Sequence, residues 1–161
     1  ISSINLSSKE LSDENIVKHI KLGLDESELN PRNLEIELTE RIMINNPEKT
    51  IENLNKIKEI GVHLSIDDFG TGYSSFNYLG ELPIDTIKID RSFVNGIDKD
   101  SDKLKITKSI IGIGGKLNMN IVAEGVETKD EFDILEQNKC TKFQGYYFSK
   151  PLTYNQFCKI L

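Results

Sequence analysis

The stretch Ser65-Ile66-Asp67-Asp68-Phe69-Gly70-Thr71-Gly72-Tyr73-Ser74-Ser75 decides how this sequence is interpreted. It begins as the end of a predicted strand, in which the apolar residues Val62, Leu64 and Ile66 share one side. Two carboxylates then follow side by side, and the two glycines after them permit backbone angles that other residues avoid. Adjacent aspartates at the end of a buried strand repel each other unless a positive charge lies close by. The stretch therefore predicts that the rest of the chain supplies the other groups of a cation site.

Predicted strands and helices alternate on both sides of this stretch. The strands are expected at residues 2–6, 34–38, 62–68, 86–90, 120–124 and 143–148. The helices are expected at about residues 13–24, 47–60, 76–79, 102–118 and 128–138 and after Thr153. Because the connections are too long for hairpins, a strand followed by a helix six times over predicts a parallel sheet with right-handed crossovers.

Two α/β architectures have this order of elements, an open doubly wound sheet and a closed barrel. Strands of an open sheet covered on both faces should be apolar on both faces. Here only one phase of each strand is apolar, as where Glu35 and Glu37 alternate with Ile36. The polar phase fits the interior of a barrel that ends in a site at the carboxyl ends of its strands. Since such a barrel has eight strands and about 250 residues, we expect a (β/α)8 TIM-type barrel that here lacks its first two strand–helix units.

Composition restricts the classes of partner. The 161 residues are 37% hydrophobic and 29% charged, enough for one domain with a core, and no apolar run predicts membrane contact from this segment. The net charge of −6 argues against a surface for a DNA or RNA polymer, although a small anion held through metal ions remains compatible. We expect a cytoplasmic location with free thiols at Cys140 and Cys158. The start at Ile1 suggests a fragment of a longer protein, other domains of which could be membrane-anchored.

Polar residues lie near the carboxyl end of every predicted strand, on the phase expected to face inward. They are Asn5, Glu37, Asp67 with its neighbour Asp68, Lys88, Glu124 and Gln144. Four carboxylates in one cavity cannot all stay ionised without cations. Oxygen ligands without cysteine or a histidine pair favour Mg²⁺ or Mn²⁺ over zinc. The plainer alternatives are solvated glutamates and a lysine that only forms a salt bridge.

The consecutive aspartates suit a pair of metal ions, since one carboxylate can bridge while the other holds a single ion. Two ions about 3.5–4 Å apart are common where a nucleophile displaces a group in line at phosphorus. Lys88 would lie in the same cavity, where it could orient a water or stabilise charge on phosphate oxygens.

Six ordered motifs extend these observations along the whole chain: Asn5-Leu6-Ser7, Glu37-Leu38-Thr39-Glu40, Asp67-Asp68-Phe69-Gly70-Thr71-Gly72-Tyr73-Ser74-Ser75, Lys88-Ile89-Asp90, Ala123-Glu124-Gly125-Val126-Glu127 and Gln144-Gly145-Tyr146-Tyr147-Phe148. Together they resemble the EAL-domain family of bacterial phosphodiesterases, which open the ring of the second messenger cyclic di-GMP. The resemblance implies a modified (β/α)8 barrel, a signalling role and the linear dinucleotide pGpG as product. Residues 1–161 would be the C-terminal three-quarters of one EAL domain.

The resemblance also implies a metal site. Its ligands would be Asn5, Glu37, Asp67, Asp68 and Glu124, and they would hold two divalent ions, Mg²⁺ or Mn²⁺. Asp68 and Glu124 would also count among the catalytic groups.

Further roles follow from the same resemblance. Lys88 and Gln144 would contact or position the catalytic water, and Glu127 would lie on the substrate side. Glu40 would brace the Asp68–Ser75 loop, which in the family couples the active site to a homodimer contact. Of the aromatic residues near the last strand, Tyr146 and Tyr147 could stack on guanine or serve only in packing.

One departure from the family keeps an alternative open. The Glu-Ala-Leu signature, with its metal-ligating glutamate and a nearby phosphate-binding arginine, belongs to the second strand of the family's barrel and does not occur in this sequence. The alternative is therefore a degenerate EAL domain that acts as a cyclic di-GMP receptor or interaction module without cleaving the ligand. For the 161 residues alone we expect weak or no activity, and association through unpaired edge strands.

Overall fold

The structure is a computed structural model that describes residues 1–43, 47–72 and 79–159. Its strands are β1 (Ser2–Leu6), β2 (Leu34–Thr39), β3 (His63–Phe69), β4 (Thr86–Ile89), β5 (Asn120–Glu124) and β6 (Lys142–Gln144). Its α-helices are α1 (Ser8–Leu11), α2 (Ile16–Ser27), α3 (Pro47–Lys58), α4 (Arg91–Val94), α5 (Ser101–Lys116), α6 (Lys129–Gln137) and α7 (Tyr154–Phe157). Two 3₁₀ turns, Pro31–Asn33 and Glu40–Met43, flank β2.

The six strands form one parallel sheet in the order β1-β2-β3-β4-β5-β6. A doubly wound sheet reverses its strand order at a switch point, and no reversal occurs among these strands. Strand order that follows chain order is the arrangement of a barrel wall, which confirms the prediction of a parallel, barrel-type α/β fold.

One phase of the strands packs against the helices and forms the core. Ile36, Leu64 and Ile87 are fully buried on this side, and Leu54 of α3 and Leu135 of α6 cover it. Each such side chain contributes about 1.5–3 kcal/mol relative to an exposed one. The opposite phase carries Ser65, Thr86 and Lys88, polar residues that are nevertheless buried.

Capping side chains determine where several helices begin. Ser7 and Glu10 form a capping box at α1, and Thr128 and Glu131 form another at α6. The side chain of Asp100 accepts hydrogen bonds from two backbone N–H groups in the first turn of α5. The start of α6 at Lys129 agrees with the helix expected at residues 128–138.

The structure differs from the sequence prediction at several element boundaries. The strand expected at 143–148 ends at Gln144, because the chain turns there and Tyr147 N donates to Val126 O at 3.0 Å. The short helices α1 and α4 were not predicted. The helix expected near 76–79 lies mostly outside the described residues. Within the described ranges, no helix has both the length and the apolar character needed to span a bilayer.

Candidate functional site

Strand register brings the predicted polar residues to one end of the sheet. Asn5 pairs with Glu37 across β1 and β2, and Glu124 pairs with Gln144 across β5 and β6. Because paired residues in a sheet project from the same face, each pair lies on the inward face. The carboxyl ends of parallel strands meet at one edge, so these side chains surround a common space.

A bulge in β3 changes the direction of the two aspartates. Ile66 pairs with Ile87 and Phe69 pairs with Ile89, so two residues of β3 oppose one residue of β4. The backbone of Asp68 is left-handed at φ 53°, a conformation that aspartate tolerates better than most residues. Strict alternation would send neighbouring side chains to opposite faces, and a bulge removes that restriction. One oxygen from each of Asp67, Asp68 and Glu124 consequently lies within 4.8 Å of the others.

Lys88 lies among the carboxylates. Its Nζ is 2.9 Å from Glu37 Oε1, 3.3 Å from Asp67 Oδ1 and 2.7 Å from Glu124 Oε1. Its side chain is only 8% exposed. Burial lowers the pKa of Lys88, but the contacts with Glu124 and Glu37 outweigh burial and raise that pKa well above its usual value. Lys88 is therefore a permanent cation at the centre of the site.

The carboxylates around Lys88 carry more negative charge than its single ammonium can neutralise. Burial raises the pKa of Asp68, and the charges of Asp67 and Asp90 raise it further. Burial also raises the pKa of Glu124, even with the Lys88 ammonium in contact. Four carboxylates facing one ammonium leave an excess of negative charge, which a protein site relieves by taking up protons or cations.

An unsatisfied oxygen of Asp67 indicates that the site takes up a cation. Asp67 Oδ1 is buried and receives no hydrogen bond from the described residues, although Lys88 Nζ lies at ion-pair distance. Buried carboxylate oxygens are normally hydrogen-bonded or bound to a cation. With Asp68 and Glu124 alongside, the donor set consists of carboxylate oxygens, which suits a hard divalent ion. The residues present thus fit a metal ion.

The loop after β3 is tied to the end of β2. Glu40 Oε2 accepts hydrogen bonds of 3.0 Å from both Gly70 N and Gly72 N. Gly70 has φ +100°, and a Cβ there would lie 2.7 Å from the ring of Phe93. A Cβ at Gly72 would lie 3.3 Å from the Glu40 carboxyl group. Both glycines therefore permit the loop to approach Glu40 and Phe93 closely.

Comparison with known proteins shows which family the chain belongs to. The model of the EAL domain family matches residues 1–151. The chain belongs to the EAL domain family.

Curated relatives and solved structures extend the match. The EAL chain is 41% identical over 150 residues to the cyclic di-GMP phosphodiesterase NbdA of Pseudomonas aeruginosa, covering 93% of this chain and 19% of that protein. It is 47% identical over 129 residues to the probable cyclic di-GMP phosphodiesterase PdeG of Escherichia coli K12, covering 80% of this chain and 25% of that protein. It therefore spans about a fifth to a quarter of the length of these relatives.

Two solved structures share the fold at similar identity. The PaMucR phosphodiesterase in complex with c-di-GMP superposes with a TM-score of 0.91 at 37% identity, over 96% of this chain and 63% of that one. The manganese and cy-diGMP complex of Klebsiella pneumoniae BlrP1 superposes with a TM-score of 0.85 at 33% identity, over 92% of this chain and 38% of that one. These matches support the TIM-barrel-like class of the EAL domain.

The structure separates the predicted site residues into two groups. Glu37, Asp67, Lys88 and Glu124 are directly linked through Lys88, and Asp68 joins them through the bulge. A second group lies further out and is exposed: Asn5, Gln144 and Glu127. Asn5 and Gln144 flank the first group through strand pairing, whereas Glu127 lies in the loop after β5.

Sequence reasoning missed three residues near the site. Asp90 adds a negative charge beside Asp68 and caps α4 by accepting from Ser92 N at 2.9 Å. Glu131 is 3% exposed and binds backbone N–H groups of the loop that carries Glu127. Arg91 lines a pocket that also contains Glu127 and Gln144. The Asp90-x-Ser92 cap and the Glu131 capping box were visible in the sequence, but their position next to the site was not.

Proposed function

We propose that the protein containing this EAL domain is a metal-dependent phosphodiesterase that hydrolyses cyclic di-GMP to linear pGpG in bacterial second-messenger signalling. The convergence of Asp67, Asp68 and Glu124, with one oxygen each within 4.8 Å, carries this proposal. The relatives support it as well, since NbdA is a cyclic di-GMP phosphodiesterase, PdeG is a probable one and the PaMucR phosphodiesterase forms a complex with c-di-GMP.

The proposed cofactor is a pair of divalent ions, Mg²⁺ or Mn²⁺. Asp67, Asp68, Glu124, Glu37 and Asn5 would hold them, since all five offer oxygen ligands at the carboxyl ends of the strands. The ions would supply Lewis acidity, lowering the pKa of a bound water and neutralising phosphate charge. The unsatisfied Oδ1 of Asp67 supports a cation in this place, and the manganese in the BlrP1 complex is a precedent in a relative.

Lys88 would stabilise the negative charge that develops on the phosphate oxygens. Its contacts with Glu37, Asp67 and Glu124 hold the ammonium in place without side-chain freedom. Because its pKa is raised, Lys88 donates hydrogen bonds and does not remove a proton from water at neutral pH. Gln144, paired with Glu124 in the sheet, would orient the attacking water from the other side.

Two further residues would act on the substrate or the loop. Glu40 would brace the loop after β3 through its bonds to Gly70 and Gly72. Glu127 would contact the substrate beyond the metal site. The predicted homodimer contact through the Asp68–Ser75 loop includes residues 73–75, which lie outside the described residues, and it stays a prediction.

The domain boundaries also remain a proposal. We propose that residues 1–161 correspond to the C-terminal three-quarters of an EAL barrel, since β1 and β6 are the two edges of the described sheet. Exposed Ile4 on β1 is the kind of edge residue that a further strand or a second molecule would cover. The 161 residues alone are therefore expected to hydrolyse cyclic di-GMP weakly or not at all and to self-associate on size-exclusion chromatography.

Hydrolysis by the intact protein tests the proposed function. Cyclic di-GMP is incubated with the protein in Mg²⁺, in Mn²⁺ and in excess chelator, and pGpG is quantified by chromatography. Asp67→Asn is the site variant, and Asp102→Asn, on the exposed first turn of α5, is the matched control. We expect metal-dependent formation of pGpG by the wild type and by Asp102→Asn, and a loss of at least about 100-fold in Asp67→Asn.

Two results would contradict this proposal. Tight binding of cyclic di-GMP without hydrolysis in any metal would assign the domain to the receptor class. Wild-type turnover by Asp67→Asn would show that this carboxylate does not take part in the reaction.

A further inference from the structure

Glu131 is a buried carboxylate that lies outside the proposed metal site. It is the third residue of α6 and is 3% exposed. Glu10, which occupies the same position in the capping box of α1, is exposed and binds Ser7. Burying a carboxylate is costly unless several donors surround it. The burial of Glu131 therefore indicates a role beyond starting a helix.

The two oxygens of this carboxylate hold two different segments of the chain. Oε2 accepts hydrogen bonds from Glu127 N at 2.8 Å and from Thr128 N at 3.0 Å, in the loop between β5 and α6. Oε1 accepts a hydrogen bond from Gly96 N at 2.8 Å, in the turn after α4. Hydrogen bonds to an ionised acceptor are stronger than those between neutral groups. Glu131 therefore joins the loop after β5 to the turn after α4.

Both of these segments lead directly to residues of the site. β5 ends at Glu124, a proposed metal ligand, and Glu127 follows it in the loop. α4 begins directly after its capping residue Asp90, which lies beside Asp68. Gly96 follows the end of the same helix. One buried carboxylate thus connects the segments that follow two neighbouring strands of the site.

The backbone around Glu127 is held at successive residues. Val126 N donates to Gln144 O at 3.1 Å, and Val126 O accepts from Tyr147 N at 3.0 Å. Glu131 accepts from the next two N–H groups along the chain. Glu127 itself is exposed, so packing of its side chain does not determine where it lies. Its position follows from the backbone, and Glu131 is the side chain that fixes this part of the backbone.

We propose that Glu131 is a positioning residue: it holds the loop after β5 so that Glu127 meets the substrate, while other residues bind the metal ions. This inference rests on the proposed function and adds a residue that acts on the substrate through Glu127.

A change from carboxylate to amide should be enough to disturb this role. A glutamine side chain has one acceptor oxygen, and its NH₂ group only donates. Because the two oxygens of Glu131 serve different segments, the NH₂ group of Glu131→Gln would face an N–H group of one of them. Either the loop after β5 or the turn after α4 then loses its acceptor, although the volume of the side chain is unchanged.

A double-mutant cycle in the intact protein tests the coupling between Glu131 and Glu127. Values of kcat and KM for cyclic di-GMP are measured for the wild type, Glu131→Gln, Glu127→Gln and the double variant. Glu136→Gln, on the exposed side of α6, is the matched control. The rise in melting temperature with Mn²⁺ reports on the metal site of each protein independently of turnover. Assays run well below every melting temperature, so unfolding does not contribute to the losses.

We expect each single variant to lower kcat/KM about tenfold or more, because a small displacement of a substrate-contacting group is costly. The double variant should lower it little further than the more severe single variant, since Glu131 acts through Glu127. Glu131→Gln should keep the response of its melting temperature to Mn²⁺. The control Glu136→Gln should match the wild type in every measurement.

Three results would overturn the inference. They are wild-type kcat/KM in either single variant, losses that multiply in the double variant, and loss of the Mn²⁺ response in Glu131→Gln, which would place its effect at the metal ligands. The proposed function fails in a different way: a wild type that binds cyclic di-GMP without cleaving it would overturn that proposal. The same cycle, measured on the Kd for cyclic di-GMP, would then decide whether Glu131 acts through Glu127.

Discussion

Lys88 Nζ lies 2.7 Å from Glu124 Oε1, across the neighbouring strands β4 and β5. This contact ties the one buried ammonium of the described site to a carboxylate whose pKa burial raises. The charge of Lys88 is therefore part of the framework of the site. Without it, Glu37, Asp67 and Glu124 would face each other with no other ion-pair partner among the described residues. Lys88 therefore has a structural and a chemical role at once, and the two can be separated by experiment.

Replacing Lys88 by methionine should separate these roles, because methionine keeps most of the volume and loses the charge. We expect kcat for cyclic di-GMP hydrolysis to fall by about 10²–10³-fold, the range seen when one electrostatic stabiliser is removed. Without metal, the melting temperature should fall, since buried carboxylates lose their counter-ion. Lys56→Met is the matched control, because Lys56 is exposed and forms a surface ion pair with Glu52 on α3. Unchanged kcat in Lys88→Met would show that the ammonium serves the fold alone.

A metal titration should show cation binding independently of turnover. The melting temperature of the wild-type protein should rise with Mn²⁺ or Mg²⁺ concentration, since a ligand that binds only the folded state stabilises it. The increase should be largely lost in Asp67→Asn, whose Oδ1 has no hydrogen bond from the described residues in the wild type. The control Asp102→Asn should respond like the wild type. Equal metal stabilisation of both variants would place the cation elsewhere on the protein.

Much of this fold follows from the sequence because local pattern and global topology agree. The alternation of Leu34, Ile36 and Leu38 with Glu35 and Glu37 predicted both a strand and its half-polar inward face. The structure buries these apolar residues and leaves the glutamates partly accessible, as a barrel wall requires. The parallel order followed from connections too long for hairpins.

The arrangement of the two aspartates could not be predicted in the same way. Alternation would place Asp67 and Asp68 on opposite faces, and only the bulge and the left-handed backbone of Asp68 allow them to converge. That conformation depends on the register against β4, which is a tertiary contact. The pocket beside Arg91 was equally hidden, because it joins segments far apart in the chain.

The bond between Glu40 and the loop after β3 should matter more for turnover than for stability. Glu40→Ala leaves Gly70 N and Gly72 N without their shared acceptor, and both can then turn to water because the loop lies near the surface. We expect kcat to fall about tenfold or more, as misplacing a reacting group by about 1 Å can cost 10²-fold. Glu48→Ala, in the exposed first turn of α3, is the control. Wild-type kcat in Glu40→Ala would show that the loop keeps its position without this acceptor.

Glu131 should make stability depend on pH through the loop that carries Glu127. Burial alone would raise the pKa of Glu131, but hydrogen bonds from the backbone N–H groups of Gly96, Glu127 and Thr128 outweigh it and lower that pKa. A lowered pKa in the folded state means that the ionised form stabilises the fold. This stability is present above the unfolded-state pKa of about 4.3 and is lost as pH falls through the lower folded-state pKa.

Glu131→Gln should therefore be less stable than the wild type by about 1–3 kcal/mol at pH 7, because a neutral amide replaces a charged acceptor of three N–H groups. The difference should shrink as pH falls below about 4, since the wild type then protonates the same group. Urea denaturation at pH 7 and at pH 3.5 measures both values, with Glu136→Gln on the exposed side of α6 as the control. A difference that stays constant between the two pH values would mean that Glu131 acts by packing, because only an ionised acceptor loses its advantage in acid.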